Sequence, residues 1–310
     1  MGLFSNNKKL CPICGNPTPR LLASKIEGVP ICKECDRKVD LPNGMLDQMT
    51  LDQFRQYLDY YENNRTLRST FTETYRYDFG FFSGTLLLDT AHRLLRLKTS
   101  DDALVLEAPE LKSFCILEDD HPLFEGTKEA LYCHESFVPE RTYALAPQID
   151  RFQMQRQEFE HMEHMARMMD RADRADRDAG GPPPVRPYPT FDISAPVSRF
   201  YIKLTLENPY WKSFNEDLGA PDFDRNDPSV DAYLYDYVNK INDLHTLAVN
   251  LMQVLNPNAP EKEDNAQIPE EPVASEGSVV EQIKQYKILL DAGALTEEEF
   301  AAKKKQLLGI

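Results

Sequence analysis

The sequence predicts an α+β protein: a small cysteine-organised module at the front, a central antiparallel β domain closed by a C-terminal helix and carrying a helical insertion, then a flexible linker and a helical hairpin. Three observations carry this prediction. Two C-x2-C pairs stand at Cys11/Cys14 and Cys32/Cys35. Short apolar runs broken by Gly, Asp, Ser or Pro recur from Phe71 onward. Helical apolar spacing with capping residues takes over at the end of the β region and again at the tail.

Composition sets the outer bounds. With 310 residues, 41% hydrophobic and 28% charged, the chain has material for a sizeable core and polar connections. A formal net charge of −16 repels phosphate backbones and anionic lipid wherever no local basic patch overrides it. No stretch approaches the roughly 18 apolar residues of a membrane span. The opening MGLFSNNKKL lacks the apolar run of a secretory signal, and Asn6 stands where the myristoylation pattern after Gly2 wants Ser or Thr. A cytoplasmic protein without a transmembrane segment is expected.

The first module, residues 1–45, reads CPIC, seventeen residues, CKEC. That spacing is the one a four-cysteine zinc ribbon or knuckle uses, because each C-x2-C turn aims two sulfurs at one point and two such turns complete a tetrahedron. Cys11, Cys14, Cys32 and Cys35 are therefore the expected ligands of one structural zinc per chain. Between them, a short hairpin is expected, with Leu21 and Leu22 before the Glu27-Gly28 turn and Val29 and Ile31 after it. So short a segment buries too little apolar surface to fold without its metal. A redox C-x-x-C needs a single pair beside a βαβ pattern, and a catalytic zinc keeps an open position; two closed pairs fit neither. Over residues 1–40 seven basic side chains face four acidic ones, a balance of +3. Four thiolates around a divalent ion contribute −2, which leaves too little positive charge to track phosphates.

Residues 46–255 form the expected central domain. Thr50 and Gln53 make a capping box, and Leu51, Phe54, Leu58 and Tyr61 continue it as an amphipathic helix over about 50–63. The runs YRYDFGFF, GTLLLD, RLLRLK, ALVLEA and FCILED read as antiparallel strands, and RFYIKLTLE resumes the series with Phe200, Ile202, Leu204 and Leu206 on one face. Asp227 is the expected cap and Pro228 the first turn of a long closing helix whose seam runs through Val230, Leu234, Tyr237, Ile241, Leu244, Ala248, Leu251 and Leu255.

The insertion, 148–180, carries eight acids and six bases over 150–178, many spaced to pair along a helix. Its apolar stripe is Met-rich: Phe152, Phe159, Met162, Ala166 and Met169, with Met165 and Met168 alongside. It reads either as a solvated insertion or as a face for a partner helix. His161 and His164 lie close together there and mark a place to look for a second metal. Cys115 and Cys133 are expected as small buried hydrophobes, His134 beside Cys133 points to the opposite strand face, and His245 is expected as a satisfied histidine of the closing helix. No catalytic motif, cofactor-binding motif or small-molecule site stands out.

Residues 256–277, with four prolines, six acids and one lysine, read as a flexible linker. Ser278 with Glu281 opens a helix bearing Ile283, Tyr286, Leu289 and Leu290; Gly293 ends it. Thr296 with Glu299 opens a second helix bearing Phe300, Leu307 and Leu308. These apolar residues are the expected partner-binding face over 278–310, since so small a hairpin needs another surface to cover it.

The stretch YKILLDAGALTEEEFAAKKKQLLGI resembles the SHOCT (short C-terminal) domain, with its leucine-rich helix, D-x-G turn and T-x-E-E-F second helix. The first 35 residues are similar to a bacterial family in which a Lys-rich tail, a four-cysteine zinc motif and a central β domain precede a SHOCT tail. The strands with their closing helix look similar to pleckstrin-homology or GRAM-like domains. The resemblance implies a bacterial or phage-borne protein whose tail serves oligomerisation or nucleic-acid contact. A non-enzymatic zinc-containing adaptor or scaffold, acting through protein–protein interaction or self-association, is the expectation; a nucleic-acid-associated regulator and an enzyme of unrecognised type are the alternatives.

Overall fold

The structure is a computed structural model and describes residues 10–80, 84–174 and 187–263. Two compact units divide the chain, Met1–Asn265 and Ala266–Ile310. The expected hairpin, with Ile283, Tyr286, Leu289, Leu290, Phe300, Leu307 and Leu308, and most of the expected linker lie outside the described residues.

Described helices and strands both contribute substantially, so the class is α+β. The front of the chain forms a two-stranded hairpin, β1 (Lys25–Ile26) and β2 (Val29–Pro30), followed by α1 (Lys33–Arg37), α2 (Met45–Gln48), α3 (Leu51–Asn63) and α4 (Arg65–Thr70). The hairpin turns at Glu27 and Gly28, both with positive φ, 50° and 78°. Leu21 and Leu22 stand exposed outside it, so the hairpin is shorter than their apolarity predicts. The capping box at α3 forms as expected: Gln53 N donates to Thr50 Oγ1 at 3.2 Å and Thr50 N to Gln53 Oε1 at 2.8 Å. Phe54, Tyr57 and Tyr61 fill its buried face.

A four-stranded meander follows, β3 (Tyr75–Asp78), β4 (Thr85–Asp89), β5 (Leu94–Arg96) and β6 (Val105–Glu107), all antiparallel. Then come β7 (Leu111–Glu118), β8 (His121–Gly126), β9 (Leu131–Cys133), α5 (Val138–Tyr143), α6 (Ala146–Arg174), β10 (Phe200–Leu206), β11 (Ser213–Asp217), α7 (Val230–Leu255) and β12 (Glu261–Glu263). The second sheet has the order β11-β10-β7-β8-β9-β12. Its pairings are antiparallel except the last, where β12 lies parallel to β9 with Glu261 opposite Leu131 and Glu263 opposite Cys133. Residues read as the start of the linker instead add a strand to the sheet edge, and Leu131 N donates to Pro260 O at 3.0 Å.

One large core joins the two sheets and α7, with Leu86, Leu95 and Leu106 from the first sheet, Phe114, Ile116, Phe200 and Ile202 from the second, and Leu244, Leu247, Ala248 and Leu251 from the helix. The alternation read in RFYIKLTLE is present, with Phe200, Ile202, Leu204 and Leu206 buried. The start of α7 differs from expectation. Ser229, not Asp227, is the N-cap, accepting from Ala232 N at 3.3 Å, while Asp227 pairs with Arg156 of α6 at 2.9 Å. Tyr237 fastens α7 to the second sheet by donating to Glu118 Oε1 at 2.6 Å. Arg93, at φ 57°, caps the other end of α7 through Val254 O and Leu255 O.

The front module and α3 share a second core, comprising Cys11, Ile26, Ile31, Cys32, Cys35, Leu41, Met49, Phe54, Tyr57, Tyr61 and Leu104. The helix expected to open the β domain therefore packs on the cysteine module, and Leu104 is the β-domain residue that completes this core.

Candidate metal centre

Each half of the centre is built by local backbone. The first turn places Cys11 and Cys14, with Gly15 N donating to Cys11 O at 2.9 Å and Gly15 itself at φ 73°. The second begins where β2 hands over to α1. Cys32 is the N-cap of α1, its sulfur accepting from Cys35 N at 3.5 Å, so helix formation itself turns Cys32 and Cys35 to the same side. The β1–β2 hairpin brings the two halves together.

The sulfurs meet at close range. Cys11 and Cys35 are 3.9 Å apart, Cys14 and Cys32 3.4 Å, and Cys14 and Cys35 3.6 Å. All four lie within 4.8 Å of one another, far beyond a disulfide, and all are free thiols. A tetrahedral thiolate shell with metal–sulfur bonds of about 2.3 Å needs sulfur–sulfur separations of about 3.8 Å, so the arrangement fits a four-thiolate metal ion. Cys11, Cys32 and Cys35 are buried and Cys14 is exposed. An ion held by all four sulfurs would have its tetrahedral shell filled, with no coordination position left for substrate.

The electrostatics match that use. Burial opposes ionisation of Cys11, yet backbone N–H groups of Cys14, Cys32 and Ile13 directed at its sulfur bring its pKa down to about 7. Burial, reinforced by the neighbouring thiols, pushes Cys35 strongly upward. Crowded thiols of this kind become a thiolate set when a cation supplies the compensating charge.

The other residues singled out by sequence fall elsewhere. His161 and His164 belong to no group of clustered metal-ligating side chains among the described residues. The first part of α6 is anchored, with Phe152 stacked edge-on against Phe191 at 5.4 Å, whereas Met162, Met165, Met168 and Met169 are exposed. Cys115 is half-buried with its thiol raised to about 11 by that burial. Cys133 is likewise raised to about 12, by burial and by Glu261. Cys133, His245 and Glu261 form a second cluster of ligand-type side chains, which sequence reasoning missed. No spacing rule links positions so far apart, and the Pro- and acid-rich composition around Glu261 is that of a linker.

Among the described residues no helix is long and apolar enough to cross a membrane. No curated protein and no solved structure matches the chain. Residues 281–308 match the family model of the SHOCT, or short C-terminal, domain, the same stretch whose leucines and T-E-E-E-F segment carry the sequence resemblance.

Proposed function

We propose that this protein is a zinc-organised adaptor, in which the four-cysteine centre stabilises the body and the SHOCT tail makes the protein–protein contact, in the first instance with another copy of the chain. The observation that carries the reading is the pairing of a closed four-sulfur shell, which suits structure and not turnover, with a SHOCT match at 281–308. The physical support is the size of the tail: about thirty residues cannot enclose a core of their own, so Ile283, Tyr286, Leu289, Leu290, Phe300, Leu307 and Leu308 gain most by covering one another across chains. Four thiolates in a tetrahedral arrangement suit zinc or iron, and zinc is the ion proposed here.

Light scattering on the full chain tests the association. Leu290→Asp and a chain ending at residue 277 should both lower the molar mass; an unchanged mass in both removes self-association. Metal analysis tests the centre. Cys32→Ser should lose the zinc held by the four sulfurs and disorder the front module, and full metal content in that variant rejects the assignment.

A further inference from the structure

Three segments remote in sequence converge at the edge of the second sheet. Cys133 ends β9, His245 lies on α7, and Glu261 opens β12. Cys133 Sγ lies 3.3 Å from Glu261 Oε1, and His245 Nε2 lies 2.9 Å from the same oxygen. The thiol, imidazole and carboxylate atoms all fall within 4.8 Å of one another. The imidazole rests against the Phe124 ring, with centroids 5.4 Å apart, which holds it facing the carboxylate.

We infer that Cys133, His245 and Glu261 form a second metal site, selective for a borderline transition metal of the zinc class, that fastens β12 to β9 and α7. The geometry supports this on three counts. Tetrahedral bonds of about 2.0–2.3 Å to nitrogen, oxygen and sulfur set ligand atoms about 3.3–3.6 Å apart, so the observed triad needs only a few tenths of an ångström of opening to admit the ion. One thiolate, one carboxylate and a neutral imidazole balance a divalent charge. A sulfur ligand excludes magnesium and calcium, which take oxygen donors.

The site differs in kind from the four-cysteine centre. His245 and Glu261 are partly exposed, with side chains 39% and 50% accessible, and three protein ligands leave a fourth position for water or an incoming donor. Binding here is therefore exchangeable, whereas the closed shell holds its ion as part of the fold. The consequence is mechanical. β12 is three residues long, and Glu261, Lys262 and Glu263 are all exposed, so its main-chain pairing alone gives it little stability. A metal bridging Glu261 to α7 and β9 makes that attachment metal-dependent, directly before the unit that begins at Ala266.

The test uses the full-length, zinc-containing protein. Dialysed to equilibrium against buffer with a fixed free Zn2+ concentration, it should hold about two zinc ions per chain, one in each site, and Cys133→Ala and His245→Ala should hold about one. Titration of Co2+ into protein whose four-cysteine centre already carries zinc should give visible absorption with a sulfur-to-cobalt charge-transfer band, absent in Cys133→Ala. Glu261→Gln, which replaces the anionic ligand with a neutral one, should weaken cobalt binding while circular dichroism stays unchanged. Amide exchange at residues 261–263 should slow when Zn2+ is added. Equal zinc content in the wild type and both variants, or cobalt binding without the charge-transfer band, overturns the site. Neither result would touch the four-cysteine centre, whose ion both alanine variants retain.

Discussion

Asp40 is where the front module is joined to the β domain: its N–H, carbonyl and Oδ2 are hydrogen-bonded, while its buried Oδ1 has an ion pair but no hydrogen bond. Its N–H donates to Tyr57 Oη at 2.7 Å, its carbonyl accepts from the Trp211 indole at 3.1 Å, its Oδ2 accepts from Leu104 N at 2.8 Å, and Lys98 Nζ pairs with Oδ1 at 2.9 Å. The carboxylate is buried while Lys98 is partly solvated, so removing it strands the Leu104 N–H and lets the ammonium return to water. Asp40→Ala should therefore cost about 1–3 kcal/mol, the penalty of one buried unpaired donor, whereas Asp40→Asn keeps an acceptor and should cost less. Urea unfolding of both variants decides it; equal stability of the alanine variant and the wild type would show that the junction does not depend on this carboxylate. Asn64 plays a parallel role, since its side-chain amide exchanges two hydrogen bonds with Val105, at 2.7 and 3.0 Å, as another strand would. Neither residue announces itself in the sequence. An Asp after Lys-Val and an Asn after Glu-Asn read as surface residues, and only the fold shows what lies opposite.

At the scale of elements, the close approach of β8 to β7 gives a sharp prediction. A Cβ at Gly126 would sit 2.0 Å from Cε1 and 2.3 Å from Cζ of Phe114, whose ring is fully enclosed. Gly126→Ala should destabilise the protein by about 1–3 kcal/mol through overpacking, and adding Phe114→Leu should cost less than the sum of the two single changes. Additive losses in thermal or denaturant unfolding would contradict this contact. The same strand shows where sequence reading stops. β7, β4 and β10 were legible because apolar residues dominate or alternate through them, and α3 and α7 because their seams persist over several turns. β8 begins His-Pro and carries a glycine, β9 and β12 are three residues each, and β12 is wholly polar, so periodicity has nothing to act on. Main-chain pairing to an existing edge creates these strands, a tertiary effect that overrides local preference. The four cysteines were legible for the opposite reason: their geometry is local, two tight turns and one hairpin. The Cys133–His245–Glu261 cluster is assembled only by the complete fold.

For Met1–Asn265 as a whole, the four-cysteine centre and the β domain are mechanically continuous. Cys11, Cys14, Cys32 and Cys35 are placed to share one metal ion; the buried three, Cys11, Cys32 and Cys35, share a core with Phe54, Tyr57 and Tyr61; and Tyr57 packs edge-on against Tyr210 at 5.0 Å, beside Trp211. With the proposed ion supplying folding free energy to so small a module, its removal should disturb the structure as far as Asp40 and the indole it contacts. The main core needs no such help, because Leu244, Leu247 and Leu251 of α7 pack there against strands of both sheets. The chain contains a single tryptophan, Trp211, 8% exposed at this junction, so it reports on the module without labelling. A strong chelator under reducing conditions should shift tryptophan emission to longer wavelength and lower the midpoint of thermal unfolding, while the far-ultraviolet signature of α7 and the sheets is largely kept. Cys133→Ala, which alters only the edge cluster, should respond to the chelator as the wild type does. Unchanged emission after complete metal removal would mean that the module keeps its shape without metal, and the four sulfurs would then have no structural role as ligands.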